Sequence, residues 1–303
     1  MRVFVTGASG HIASAVIPEL IETGHEVVGL ARSDEAAAAV RALGASPRHG
    51  DLSDLEGIAQ GAAEADGVIH LALFDSGQMR SGNVDGAAAA GLAAVQALGD
   101  ALAGTGKPPV AASALGALGS LGRPSTESDS ATPAGATTSE IAVVGFAERG
   151  VRSSVVRLPP ITHSRLERHG FARTLIAIAR RTGVSGYAAD GANRWPAVHT
   201  LDAGHLYCLA LANADSGTRW HAVAEEAIPM REIAQSIADH LGIETASIPE
   251  DRLEEHFGFL AMLIGLDIPA TSLATRRLLR WEPTHPGLLV DFDEGDYFTA
   301  PAV

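Results

Sequence analysis

The segment best suited to bind a reactive group opens the chain. Thr6-Gly7-Ala8-Ser9-Gly10-His11-Ile12-Ala13 follows a strand-like run, Val3–Thr6, and leads into a helical stretch, His11–Thr23, ended by Gly24. Glycines in such a turn let the backbone approach a ligand closely, and the next helix offers unpaired N–H groups and the positive end of its dipole to a diphosphate. Ala13 keeps the third small position that close helix–strand packing needs. Gly7, Ser9, Gly10, His11 and Ile12 are therefore expected to hold a dinucleotide. At the end of the second strand, an NAD site usually carries an acid for the ribose 2′-OH. Here Gly29-Leu30-Ala31 is followed by Arg32 and Ser33, which suit a 2′-phosphate, while Asp34 reads as a helix N-terminal charge. NADP is expected over NAD.

The residues that would move a proton are harder to find. The three tyrosines, Tyr187, Tyr207 and Tyr297, are followed four positions on by Gly191, Leu211 and Pro301, and Lys107 is the only lysine. A Tyr-x-x-x-Lys pair is thus excluded. So are a Cys-x-x-Cys or His-Glu-x-x-His metal motif, a nucleophile elbow and a Gly-Lys-Ser/Thr phosphate loop, and no metal is expected. The single Cys208 rules out an intrachain disulfide.

The elements that must position these residues follow from patterning. Short apolar strands (Val3–Thr6, Glu26–Ala31, Gly67–Ala72, Val110–Ser113, Ser154–Leu158) alternate with Ala-rich helices. One opens at Ser33 and runs through Leu43, and another starts from a Ser53/Glu56 capping box. This is the pattern of an α/β, doubly wound parallel sheet, a Rossmann fold. Residues 1–165 read as the NADP-binding domain and 166–303 as a mixed, smaller substrate-binding region, with Trp220–Ala224 returning to the main sheet. Phe171–Thr182, Asp202–Ala212 and Met230–Leu241 read as helices, and Arg123–Thr138 as a long loop. Gly258–Leu266 suits a core helix, a homodimer interface or a pocket wall. A formal charge of −14 argues against nucleic acid or an anionic membrane as partner. The longest uncharged stretch, Pro108–Gly122, is too short and interrupted to span a bilayer. A cytoplasmic protein with a small-molecule substrate is the expectation.

Taken in order, Thr-Gly-x-x-Gly-x-x-Ala, Gly50-Asp51-Leu52, Asp66-Gly67-Val68-Ile69-His70-Leu71-Ala72, Arg157-Leu158-Pro159-Pro160 and Val198-His199-x-x-Asp202 resemble the extended short-chain dehydrogenase/reductase superfamily, the NAD-dependent epimerase/dehydratase-like proteins. Asn193–His199, His221–Glu226 and Trp281–Gly287 are similar to an atypical branch often labelled epimerase or 3β-hydroxysteroid dehydrogenase-like. The resemblance implies Asp51 and Leu52 beside the adenine and Leu71, Ala72 and Leu73 along the cofactor. It places Leu158, Pro159 and Ile161 near the nicotinamide, and Ser113 at the active-site serine. Phe74, Asn193, Arg194 and Trp195 are assigned to the substrate pocket. Asn83-Val84-Asp85-Gly86 resembles a helix start.

The resemblance also shows what is missing. If Glu140 matches the glutamate beyond the family's Tyr-x-x-x-Lys pair, Thr132 and Ala136 occupy the pair's positions, and Ser125–Gly150 contains neither residue type. Ser113 could orient a carbonyl oxygen, and His163, expected near the nicotinamide, is a residue type that can act as a proton donor. The reading is an NADP-dependent oxidoreductase for a small or medium, fairly apolar carbonyl or alcohol. A non-catalytic NADP(H)-binding sensor and a redox-neutral epimerase or isomerase stand as alternatives.

Overall fold

A computed structural model describes residues 1–72, 83–130 and 137–299. The first half lays down β1 (Arg2–Thr6), α1 (Ala13–Glu22), β2 (Glu26–Ala31), α2 (Asp34–Ala42), β3 (Ser46–His49), α3 (Leu55–Glu64), β4 (Gly67–His70), α4 (Val84–Leu102), β5 (Pro109–Ala114), α5 (Thr137–Gly145) and β6 (Ser154–Leu158). With β10 (Thr218–His221) these strands form a seven-stranded sheet in the order β10-β6-β5-β4-β1-β2-β3. Every neighbouring pair is parallel. The strand order reverses between β1 and β4, and in an open α/β sheet the crevice beyond the strand ends at that point takes the ligand.

Both faces of the sheet are covered. On one face α1, α2 and α7 (Thr200–Asn213) bury Val16, Ile17, Val40 and Leu206 with Trp220 and Trp281. On the other, α3, α4 and α5 bury Ile58, Leu98 and Val143 around Phe4 and Val68. This two-sided burial explains why the strands read as apolar runs rather than alternating ones. Contact between α1 and α7 is close because the facing residues are small: a Cβ on Gly204 would lie 2.7 Å from that of Ala15. The two helix N-termini, at His11 and Thr200, are thereby brought together.

The remaining elements are β7 (Ile161–His163), α6 (Phe171–Thr182), β8 (Val184–Ala188), β9 (Arg194–His199), β11 (Glu225–Pro229), α8 (Met230–Leu241) and β12 (Glu244–Ile248), then α9 (Leu253–Phe257), α10 (Ala261–Ile264), α11 (Leu273–Leu279) and α12 (Leu288–Glu294). They form a small sheet, β11-β9-β7, and a parallel pair, β12-β8, around their own apolar core of Leu175, Trp195, Ile233, Leu260 and Phe292.

Three local expectations change. The cap of α3 is Asp54, which accepts the Gly57 N–H at 2.9 Å, because the Ser53 hydroxyl donates to Asp51 instead. Strand β3 carries Pro47, Arg48 and His49 and has no apolar signature; it pairs at the sheet edge. Gly258–Leu266 is broken rather than one helix. Gly258 takes a positive φ, a single turn follows, and Leu260 and Ile264 are buried while Phe259 and Met262 are exposed.

Candidate functional site

At the end of β1, Gly7 has φ +67° and lies so close to β4 that a Cβ would sit 3.0 Å from the backbone of Leu71 and Ala72. Only glycine fits both conditions. Gly10 N–H closes the turn on Gly7 O at 2.9 Å, and Ile12, at the N-cap of α1, supplies no side-chain cap. The amides of His11 and Ile12 have no acceptor among the described residues. Unpaired amides at a helix start, in a cradle a Cβ would fill, are what a diphosphate requires. Ser9 and Gly10 are exposed, and His11 and Ile12 half-buried.

Along the rest of this crevice, Arg32 and Ser33 are exposed beyond β2. The Ser33 oxygen accepts Ala36 N–H at 3.2 Å as the cap of α2, which leaves its hydroxyl proton to donate elsewhere. Asp51 is exposed and Leu52 buried. Hydrogen bonds from Ser53, with a contribution from the Arg32 charge, hold the Asp51 carboxyl below its ordinary value. Leu71 and Ala72 are half-buried past β4, while Leu73 and Phe74 lie outside the described residues. Beneath them Thr6 Oγ1 and His70 Nδ1 are 2.7 Å apart. Burial lowers His70 to about 4, so its imidazole is neutral. Leu158 is half-buried at the end of β6, with Pro159 and Ile161 buried just beyond.

The residues expected to move a proton are engaged otherwise. Ser113 is buried and donates through Oγ to Glu140 Oε2 at 2.6 Å. Glu140 also receives Arg157 twice, Nε at 3.0 Å and Nη2 at 2.6 Å, and Arg219 Nε at 2.9 Å. Burial alone would raise the Glu140 carboxyl, but the Arg157 hydrogen bonds and charge, with Ser113 and Arg219, outweigh it and lower its pKa. A serine whose only proton goes to a carboxylate cannot give it to a carbonyl at the same time. His163 is fully buried. Its Nδ1 lies 2.8 Å from Asp291 Oδ2, and its Nε2 is sealed from solvent, 3.9 Å from Glu225 Oε2.

The assigned substrate residues are likewise tied into the fold. Asn193 Nδ2 donates to the Ile264 and Leu266 carbonyls, Arg194 pairs with Asp267, and the fully buried Trp195 donates Nε1–H to Leu266 O at 3.1 Å. Together they fasten β9 to the Ile264–Asp267 turn.

A polar cluster that no local motif signals lies behind the glycine-rich turn. His11 Nε2 is 2.6 Å from Thr200 Oγ1, which accepts from Ser164 Oγ at 2.8 Å and donates to His163 O at 3.0 Å. Beside it is a cavity of about 750 Å³ whose lining includes Ser164, Arg165, His199, His285 and Asp291. Burial, then the charges of His163 and His285, lower His199 to about 4. Ligand atoms of His199, Asp202 and His285 lie within 4.8 Å of one another. Asp202, however, accepts Thr284 N–H, His285 N–H and His285 Nδ1, fixing the 281–285 turn. The two imidazoles are stacked 4.6 Å apart and 8° from parallel, so one ion could not lie in both ring planes.

Residues 3–223 match the model of the NAD dependent epimerase/dehydratase family. The chain is 41% identical over 300 residues to an uncharacterised protein of Schizosaccharomyces pombe, covering 98% of this chain and 100% of that one. It is 40% identical over 300 residues to an uncharacterised protein of Saccharomyces cerevisiae, covering 96% and 97%. Its fold is similar to that of a double mutant of the dTDP-glucose 4,6-dehydratase DesIV from Streptomyces venezuelae with NAD bound, with a TM-score of 0.76, 19% identity and 98% of each chain covered.

Proposed function

Because this chain belongs to the NAD dependent epimerase/dehydratase family, we propose that it is an oxidoreductase that takes NADP at the β1–β4 switch point and acts on a small or medium, fairly apolar carbonyl or alcohol. The observation that carries the reading is the glycine-rich turn, with its open amides and a Gly7 that tolerates no Cβ, in line with Arg32 and Ser33 beyond β2. The unpaired amides of His11 and Ile12 would hold the diphosphate. Arg32 and the free Ser33 hydroxyl proton would take the 2′-phosphate, which favours NADP over NAD. When bound, the nicotinamide supplies or accepts the hydride. The half-buried Leu71, Ala72 and Leu158 would lie along the cofactor and keep water from its reacting side, with the buried Pro159 and Ile161 backing them.

A second reading has its own observation. With Ser113 given to Glu140 and His163 sealed between Asp291 and Glu225, neither residue expected to give the proton is ready to do so, which favours an NADP(H)-binding protein without turnover. NADPH oxidation across ketones, aldehydes and enones, run beside calorimetric NADP binding, separates the two. Turnover that falls when Arg32→Ala weakens NADP supports the oxidoreductase. Binding without turnover on any carbonyl supports the second reading, and no binding removes both.

A further inference from the structure

One of the two open amides at the glycine-rich turn belongs to His11, whose half-buried side chain reaches Thr200 at the start of α7. Its hydrogen-bond arithmetic is closed on one side only. Thr200 Oγ1 has a single proton and two lone pairs. It accepts from Ser164 Oγ, whose own oxygen takes Leu166 N–H at 3.1 Å, and it donates to the His163 carbonyl, which can only accept. The 2.6 Å contact to His11 must then be a donation from His11 Nε2–H into the second lone pair of Thr200. In a neutral ring the other nitrogen, Nδ1, carries a lone pair, and it has no partner among the described residues. The free protein thus carries an acceptor on the side chain of a residue whose amide a diphosphate would meet.

Two features make that state reversible. Thr200 is fully buried and held at the start of α7, but its hydroxyl can turn between two acceptors, the His163 carbonyl and His11 Nε2. The ring itself stays neutral: burial and the neighbouring charges of His163, His199 and Arg173 lower His11 to about 4. Those three groups face it from β7, β9 and α6, and the Ala15–Gly204 contact holds α7 against α1.

We infer that His11 grips the dinucleotide through its side chain: in the bound state Nδ1–H donates to a diphosphate oxygen, and Thr200 permits this by turning its hydroxyl from the His163 carbonyl to His11 Nε2. The ring carries one proton before and after, exchanged through water from Nε2 to Nδ1, and no proton is taken up. The His163 carbonyl gives up its Thr200 donor, so the cofactor turn and the loop that lines the 750 Å³ cavity are coupled through one hydroxyl. This inference rests on the cofactor reading above.

The test is calorimetry of NADP, ADP and 2′-AMP with the wild type, His11→Phe, Thr200→Val, Thr200→Ser and the Phe/Val double variant. It is accompanied by ¹⁵N spectra of the histidine rings. NADP and ADP should weaken about tenfold or more in either single variant, the scale of a hydrogen bond to a charged group. The double variant should weaken no further, Thr200→Ser should bind as the wild type, and 2′-AMP, which has no 5′ diphosphate, should be unaffected throughout. The ¹⁵N shifts of His11 should exchange their Nε2–H signature for Nδ1–H on adding NADP, with no net proton uptake between two buffers. Unchanged NADP binding in His11→Phe, additive losses, equal weakening of 2′-AMP or uptake of one proton would each overturn the inference while leaving the cofactor reading intact. A folded wild type that binds none of the three ligands overturns the cofactor reading and this inference with it.

Discussion

The two ends of the crevice are built on opposite principles. At the glycine-rich turn the polar groups are open: the His11 and Ile12 amides lack acceptors, Ser33 keeps a proton to give, and Gly7 clears space that a Cβ would fill. At Ser113 the polar groups are used up: Glu140 receives Ser113, Arg157 and Arg219, and Arg157 is further bonded to the Asp129 carbonyl and His221. Buried polar groups require partners, so where all of them are internal the group is framework, and where they are missing a ligand is expected to supply them. The end proposed to take the cofactor is open in this chain, and the end around Ser113 is a buried ion network.

The largest effect expected from breaking this contrast is at Glu140. Glu140→Ala leaves Arg157, which is fully buried, without its carboxylate, and should cost about 3–5 kcal/mol in urea unfolding. A change below about 1 kcal/mol would show that the network is not structural. Acid should come next. His70 is neutral when folded, with its pKa lowered from 6.5 to about 4 by burial. Between those values the unfolded chain binds the extra proton, so stability should fall as pH drops from 6.5 toward 4, and His70 alone should contribute at most about 1.4 kcal/mol per unit to that slope. His70→Gln should reduce that slope by the His70 share, and an unaltered slope would assign the acid sensitivity to His11, His199 or His221 instead.

How far the sequence carried can be judged residue by residue. Gly7 and Ser33 were legible because each acts within a few residues of itself, as a turn or a cap. Strands β2 and β6 were legible to their ends because burial on both faces leaves a continuous apolar run. The commitments of Ser113 and His163 were not. Their partners, Glu140 and Asp291, lie 27 and 128 positions away and are brought near only by packing of α5 and α12. For the same reason Asn193, Arg194 and Trp195 read as a pocket cluster although their partners lie in the turn 71–73 residues on. Strand β3 escaped notice because an edge strand needs no apolar pattern.

Smaller effects sharpen the same contrast. Gly7→Val should abolish dinucleotide binding while costing only about 1–3 kcal/mol of stability, the scale of one residue strained at positive φ. Ser113→Ala removes a single hydrogen bond within the network and should cost about 1 kcal/mol. Any NADPH turnover should stay within about twofold of the wild type, and a hundredfold fall in kcat at unchanged stability would restore Ser113 to the chemistry.

The most direct test of the central claim is a calorimetric titration of the wild type and Arg32→Ala with NADP and NAD. The open cofactor end predicts that the wild type binds NADP about tenfold or more tightly than NAD, as a charge-assisted contact to the 2′-phosphate requires. Arg32→Ala should bring the two affinities together. Folded wild-type protein that binds neither dinucleotide would contradict the account.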